Sequence, residues 1–255
     1  MKTKNLLGIL FLFLCTITLV SCGDDEKQEI YSLSFEKGYY ERPLLGAKNI
    51  PVRGGNRDYT VTVQNTDVLS INIDLSSPIG MGNLVVKPKQ KGETTVTVKD
   101  NVTNETVNLK IKIVDSYLNL KVAHPAQVPY SGGENLFFIN NSDRDFYLFD
   151  EKMEKKECTG NYQFLIKNST CYMILNFDKE LNDKSTYEYN ISNTSERMFT
   201  LIEILLGVDW NMKADLINRS TRSASPVIMN AVDTETNLTQ YFVAGSNDIP
   251  ENILD

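Results

Sequence analysis

Apolar and polar positions alternate along much of residues 30–115. The alternation is clear in Tyr59, Val61 and Val63, and again in the strand-like run from Val107 to Ile113. Successive side chains of a strand point to opposite faces, so this period of two predicts β-strands that each bury one face. Turn-forming residues separate the runs, in the segments Gly54-Gly55-Asn56, Ser76-Ser77-Pro78, Lys91-Gly92 and Asp100-Asn101. The pattern predicts an antiparallel β-sandwich over residues 30–115.

Residues 116–255 are richer in aromatic side chains and alternate less cleanly. In the run 145–150, Phe146 and Leu148 would face one side of a strand and Tyr147 and Phe149 the other, so we expect both faces to be covered. One helix is predicted near residues 196–206, with Ser195 as its N-cap and Gly207 at its C-terminal end. The element order indicates a mainly β domain, a meander with one helix. It leaves open a lipocalin-like half-barrel and a second sandwich.

The first 21 residues have the pattern of an export signal. Lys2 and Lys4 precede an uncharged apolar run from Leu6 to Val20. A membrane-spanning helix needs about 20 apolar residues, so this run is short for an anchor but suits a cleaved signal peptide.

The residues around Cys22 resemble a lipobox, in the order Leu19-Val20-Ser21-Cys22. The resemblance implies that Cys22 is the lipid attachment site and the first residue of the mature chain. Asp24, Asp25 and Glu26 resemble the surface-export signal of Bacteroidota-type lipoproteins, within an acidic tether over residues 22–29. The expected location is the outer membrane, lipid-anchored and at the cell surface, with a periplasm-facing position as the alternative. The membrane is then a partner through the N-terminal lipid.

Residues 84–100 resemble the second half of a bacterial immunoglobulin-like (Big_2-like) domain. A strand from Leu84 leads through a turn at Gly92 into a Thr/Val-rich strand, and a last strand follows from Val107 to Val114. The resemblance implies an immunoglobulin-like domain over residues 30–115, of a kind that serves as spacer or adhesive module. A core tryptophan and an inter-sheet cysteine pair are missing, which excludes an antibody-type member.

The net charge argues against a nucleic-acid partner, and the cysteine positions argue against a disulfide. Without residues 1–21 the chain has 24 basic and 33 acidic residues, a net charge of −9, so we expect no nucleic-acid partner. Beyond Cys22, only Cys158 and Cys171 remain. A hairpin turn near Asn168 would place Cys171 opposite residue 166, about 26 Å along the strand from Cys158 at about 3.3 Å per residue. We therefore expect no disulfide between them.

Motifs for catalysis and metal binding are weak. His124 is the only histidine, which excludes HExxH zinc sites, and no GxSxG motif accompanies it. Four acidic residues lie close together in sequence but flank a strand, as solvated hairpin ends do: Asp143, Asp145, Asp150 and Glu151. The loop that begins at Asn141 lacks the glycine and the glutamate that an EF-hand needs to bind calcium. We therefore predict no catalytic residues, metal ligands or cofactors.

Trp210 is the candidate ligand-binding residue, because aromatic faces stack on sugar rings. A reserve set shares this property: Tyr147, Tyr162, Tyr172, Tyr187 and Tyr189. The first hypothesis is a non-enzymatic, membrane-tethered surface lipoprotein with an immunoglobulin-like spacer and an outer β-rich domain that binds a glycan or protein ligand. The alternatives are a fimbrial or surface-assembly subunit, and a hydrolase whose site is not recognisable from sequence.

Overall fold

The alternating runs of the first region form two packed β-sheets in the computed structural model, which describes residues 29–210 and 227–254. A four-stranded sheet has the order β1-β7-β6-β3, and a three-stranded sheet has the order β2-β5-β4. All pairs are antiparallel except β1 with β7. The strands are β1 (Tyr39–Pro43), β2 (Ile50–Pro51), β3 (Tyr59–Val63), β4 (Leu69–Asp74), β5 (Asn83–Pro88), β6 (Gly92–Asp100) and β7 (Thr106–Val114).

The two sheets share one aliphatic core, so this region is the predicted sandwich. Val96 and Val98 of β6 are fully buried together with Leu69 of β4 and Leu84 of β5, which belong to the other sheet. The third, sixth and seventh strands lie in one sheet and the second, fourth and fifth in the other, as in immunoglobulin-like sandwiches. Here the first strand joins β7 rather than β2.

Eight strands between residues 117 and 244 form a closed barrel in which each strand pairs with the next and β15 pairs with β8. The expectation of a half-barrel or a second sandwich is corrected to a fully closed up-and-down barrel. The last two strands, β14 and β15, pair as an antiparallel hairpin. The strands are β8 (Tyr117–Val122), β9 (Asn135–Ile139), β10 (Asp145–Phe149), β11 (Lys155–Lys167), β12 (Thr170–Leu181), β13 (Lys184–Asn190), β14 (Ile228–Asp233) and β15 (Thr239–Ala244).

Helix α1 (Glu196–Leu206) has the predicted bounds and connects β13 to β14. It packs at the end of the barrel nearer the sandwich, where Met198, Phe199 and Ile202 join the barrel core. Gly207 adopts the left-handed conformation, with φ of 63°, and its N–H donates to the Glu203 carbonyl. Ser195 occupies the N-cap position, but its side chain makes no capping hydrogen bond.

The loop over residues 123–134 closes the opposite end of the barrel. The buried ring of Tyr130 packs edge-on against Phe242, with 5.5 Å between ring centroids. The Gln240 side chain holds the loop, because its Oε1 accepts from the Gln127 N–H at 2.7 Å. The barrel is therefore filled from both ends by its own side chains.

Residues 245–254, here called the tail, cover the outer face of β8, β9 and β10. Ile249 and Leu254 of the tail pack in one apolar cluster with Tyr117, Phe137 and Phe149. Phe146 and Leu148 face the barrel interior instead. Both faces of β10 are thus covered, as the sequence pattern predicts.

The tail also ties the barrel to the sandwich. Lys48 forms a salt bridge of 2.8 Å with Asp248, and Lys37 one of 3.1 Å with Glu251. The Asn252 N–H donates to Glu41 Oε1 at 3.1 Å, and Glu41 is nearly buried. The two regions consequently meet through an ordered set of polar contacts.

The pairing of β11 with β12 has the predicted register, since Ile166 is opposite Cys171. Cys171 carries a free, buried thiol, and burial raises its pKa. In the described part of the chain, no helix is long and apolar enough to cross a membrane.

Candidate ligand-binding cleft

An open cleft of about 460 Å³ lies on the outer wall of the barrel, where the chain leaves β15 to begin the tail. The strand pairing of β15 with β8 ends at Ala244 opposite Leu120. Beyond it, the Gly245 N–H still donates to the Asn119 carbonyl at 2.9 Å. A Cβ on Gly245 would lie 1.7 Å from Asn119 Oδ1, so only glycine allows the tail to begin so close to β8.

Three asparagine side chains meet beside this cleft. Asn119 Nδ2 donates to Asn135 Oδ1 at 3.4 Å, and Asn247 Nδ2 donates to the same oxygen at 3.1 Å. Asn135 Nδ2 in turn donates to the Asp150 carbonyl at 3.4 Å. Asn119 and Asn135 are almost fully buried, and Asn119 Oδ1 has no hydrogen-bond partner among the described residues. In this cluster, Asn135 Oδ1 accepts two hydrogen bonds, whereas the buried Asn119 Oδ1 accepts none.

The remaining walls of the cleft are mixed in character. The lining residues are Lys121, Val122, Ala123, His124, Asn135, Val243, Ala244, Gly245, Ser246 and Asn247. Lys121 is 3.8 Å from Glu151 across an exposed salt bridge. The exposed ring of His124 lies against Gly132, where a Cβ would come within 2.2 Å of the imidazole. Such a surface offers donors, acceptors and short apolar stretches with little net charge.

Tyr241 adds an exposed aromatic face next to the cleft. It is 43% exposed, and the alternation along β15 puts it on the same outer face as Val243, which lines the cleft. The Ala123 N–H donates to the Tyr241 carbonyl at 2.9 Å, which fixes the backbone of Tyr241 beside the start of the 123–134 loop.

A smaller cleft of about 160 Å³ lies between the barrel and the sandwich. It shares Ala244 of β15 and tail residues 245–247 with the larger cleft, whereas Asn119 lines the smaller cleft alone. Its other walls include the apolar side chains of Leu201 and Leu205 of helix α1 and Leu45 of the sandwich, together with the charged Lys48 and Asp248. The start of the tail thus separates the two clefts.

The structure corrects the expectation for Trp210. Its side chain is only 4% exposed and packs edge-on against Phe199 at 4.9 Å and Phe164 at 5.7 Å. The indole N–H donates to the Phe199 carbonyl at 3.2 Å. The ring fills the end of the barrel under helix α1 and has no free face for a sugar. In the reserve set, Tyr162, Tyr187 and Tyr189 are buried as well, whereas Tyr147 and Tyr172 are half-buried.

The acidic residues of the 143–151 region do not form a pair. Asp143 and Asp145 lie at one end of β10 and Asp150 and Glu151 at the other. Asp145 is held by Asn141, whose Nδ2 donates to Asp145 Oδ2 at 2.7 Å. No group of three or more histidine, cysteine or acidic side chains suited to a metal ion occurs in residues 29–210 and 227–254. Cys22, Asp24, Asp25 and Glu26 lie outside the described residues.

The asparagine cluster beside the cleft had only a faint signal in the sequence. Asn119 interrupts the apolar run from Tyr117 to Val122, and a polar residue in such a run is a candidate for a buried hydrogen-bonding role. Asn135 and Asn247 carry no comparable signal, since their meeting with Asn119 depends on barrel closure and on the path of the tail.

No protein-family model matches the chain, and no curated protein matches it. Among solved structures it is similar to domains 5-6 of the S-layer protein SbsC, with 12% identity and a TM-score of 0.28, over 85% of this chain and 97% of that one. It is also similar to domains 4-9 of the surface layer protein SbsC, with 10% identity and a TM-score of 0.29 over 85% of this chain. The chain spans 31% of that second structure. Scores this low carry no inference about function.

Proposed function

We propose that this chain is a membrane-tethered, non-enzymatic surface lipoprotein whose barrel binds a glycan in the cleft lined by Asn135 and Asn247. The sandwich acts as a spacer between the lipid on Cys22 and the binding domain. The asparagine-lined cleft is the observation on which the proposal mainly rests.

The placement of the two ends of the sandwich supports the spacer role. Tyr31, close to the first described residue, is bound to Asn56 in a loop that contacts Asp100 at the end of β6. The barrel joins the opposite end of the sandwich, after Val114 of β7. A tether that begins at Cys22 would therefore leave the barrel farthest from the membrane.

The chemistry of the cleft supports a neutral, hydroxyl-rich ligand. An asparagine amide offers an acceptor and two donors, which match the paired donor and acceptor character of a sugar hydroxyl. Asn135 and Asn247 line the cleft, and Asn247 is exposed at its edge, so its amide is open to a ligand. The exposed face of Tyr241 can stack on the C–H surface of a sugar ring.

A glycan array tests the proposal directly. The mature chain with Cys22→Ser, which cannot be lipidated, would be compared with the same chain carrying Asn247→Ala or Tyr241→Ala. We expect specific binding that each substitution weakens by roughly tenfold, since a lost hydrogen bond or stacking contact corresponds to about 1 to 1.5 kcal/mol.

Ile204→Ala is the matched control, because Ile204 is exposed on helix α1, away from the cleft. Binding that all three variants retain would place the ligand elsewhere on the molecule. No binding to any glycan would remove the sugar ligand and direct the search to protein partners.

A further inference from the structure

Four large apolar side chains are exposed at the end of the sandwich opposite the barrel. Ile79 is 86% exposed, Ile30 65%, Tyr31 47% and Val102 40%. We call these four residues the basal patch. Most large apolar residues of the sandwich are buried in its core, so their concentration at one end needs an explanation beyond chance exposure.

The directions of the strands place all four residues at the end of the sandwich that is farthest from the barrel. β7 runs from Thr106 at this end to Val114 beside the barrel, so the turn after β6, which carries Val102, is as far from the barrel as the sandwich allows. The Asn56 N–H and Nδ2 both donate to Asp100 Oδ2, at 2.7 and 2.9 Å. Asn56 also bonds Tyr31, which brings the N-terminal residues to this end.

The loop that carries Ile79 is held in a defined conformation. The guanidinium of Arg57 donates to the carbonyl oxygens of Leu75, at 2.8 Å, and Ser77, at 3.0 Å, and also to that of Gly80. The loop β4–β5 is thereby closed around one arginine, while the Ile79 side chain points away from the protein at its tip. An ordered loop that presents an isoleucine to solvent is suited to contact an apolar phase.

The short segment between Cys22 and this end of the sandwich points to the lipid bilayer as the partner of the basal patch. Glu29 follows Cys22 by seven residues, which span at most roughly 25 Å when fully extended at about 3.6 Å per residue. A lipid on Cys22 therefore keeps the basal patch within a short distance of the bilayer surface. Tyrosine is favoured in the interfacial region of membranes, and isoleucine and valine favour the acyl boundary beneath it.

We infer that the basal patch rests in the interface of the bilayer that holds the Cys22 lipid, so that the sandwich stands on the membrane rather than swinging on a free tether. The inference depends on the proposed lipid anchor. Glu29, Asp58 and Glu105 lie at the same end, through their contacts with Tyr31, Asn101 and Leu33. These carboxylates would be repelled by anionic headgroups, so the patch fits a zwitterionic surface best.

Tryptophan quenching in vesicles tests this inference. The lipidated full-length mature chain carrying Ile79→Trp would be reconstituted into phosphatidylcholine vesicles with brominated acyl chains. We expect a blue shift and at least twofold quenching of the introduced tryptophan. Val128→Trp is the matched control, because Val128 is 66% exposed on the loop at the far end of the barrel. Trp210 is buried in both variants and supplies an equal background.

Vesicle flotation separates the inference from the proposed anchor. A chain that floats with an unquenched Ile79→Trp variant overturns the docking of the basal patch and leaves the lipid anchor intact. A chain that does not float removes the anchor and the docking together. A concentration-dependent blue shift of the Ile79→Trp variant without vesicles would assign the patch to contact between two copies of the chain, and would also overturn the inference.

Discussion

The sandwich and the barrel fill their interiors with different side chains. Among the described residues, the sandwich core of 13 buried apolar residues contains one aromatic, Tyr40, and is otherwise valine, leucine and isoleucine. In the barrel core, ten of 24 buried residues are aromatic. Two sheets packed face to face leave a thin layer that branched aliphatic side chains fill. The interior of an eight-stranded barrel is wider and needs side chains that reach towards its axis.

The aromatic rings of the barrel form a continuous network in which most contacts are edge-on. Phe138 and Tyr162 have centroids 5.0 Å apart, and Phe146 and Phe177 are also 5.0 Å apart. Each such pair adds about 0.5–1.5 kcal/mol to the free energy of unfolding beyond the area it buries. A ring removed from the barrel therefore loses several contacts at once, whereas a methyl group removed from the sandwich loses few.

Phe138→Ala tests this difference with the largest expected effect. Phe138 is fully buried and its ring contacts those of Phe146, Tyr162 and Phe164. We expect the free energy of unfolding of the barrel to fall by about 3–5 kcal/mol in urea denaturation. Ile111→Val in the sandwich core should cost about 0.5–1.5 kcal/mol. Equal losses in the two variants would contradict the view that the barrel depends on its rings.

The sequence predicts local elements well and barrel closure poorly. Alternation and turn residues identify sandwich strands such as β3 and β7 but not the short strands β1 and β2, and the helix bounds follow from Ser195 and Gly207. The barrel closes through pairing of Phe242 with Val122, residues 120 positions apart, and no local pattern encodes that contact. The same reason explains the error at Trp210. Its burial depends on Phe164 and Phe199, which sequence proximity does not connect to it.

Ile249→Ala tests whether the tail stabilises the junction between the two regions. Ile249 is 5% exposed over the outer face of the barrel, so its truncation should lower the free energy of unfolding by about 2 kcal/mol. We expect the thermal transition in calorimetry to broaden or divide, because the salt bridges of Lys37 and Lys48 depend on the tail position. Ile79→Ala, at an exposed site, should leave the transition unchanged. An unaltered transition in Ile249→Ala would mean that the tail does not couple the two regions.

Tyrosine to phenylalanine substitutions inside the barrel should differ in sign. The hydroxyl of Tyr162 donates to the Ile139 carbonyl at 2.9 Å, so Tyr162→Phe should lower the free energy of unfolding by about 1 kcal/mol. The buried hydroxyl of Tyr189 has no hydrogen-bond partner among the described residues, and burial raises its pKa. Tyr189→Phe should therefore be neutral or slightly stabilising in urea denaturation. A loss equal to that of Tyr162→Phe would show that Tyr189 is bonded, with Tyr130 as the nearest candidate.

Acid should lower the free energy of unfolding of both the sandwich and the barrel, because each contains a buried aspartate in a hairpin turn. Burial by itself would raise the pKa of Asp100, but donors from Asn56, Val102 and Thr103 outweigh it and lower the pKa. Asp233 is similar, since burial is outweighed by the N–H groups of Thr236 and Glu235. A lowered pKa stabilises the folded state above the ordinary aspartate value of about 3.9, and this stability is lost as pH falls through the folded pKa.

Asparagine substitutions distinguish the two turns at neutral pH. Both oxygens of Asp100 accept hydrogen bonds, whereas the bonds to Asp233 all use Oδ1. An asparagine retains one acceptor oxygen, so Asp233→Asn can keep its turn. Asp100→Asn must place its NH2 group against one of two sets of donors, those of Asn56 or the N–H groups of Val102 and Thr103. We expect Asp100→Asn to lower the free energy of unfolding more, and both variants to show a shallower loss of stability between about pH 4 and pH 2. If Asp233→Asn lowered the free energy of unfolding more, the second oxygen of Asp100 would contribute little, and the loops that carry the basal patch would have to be held by Arg57 instead.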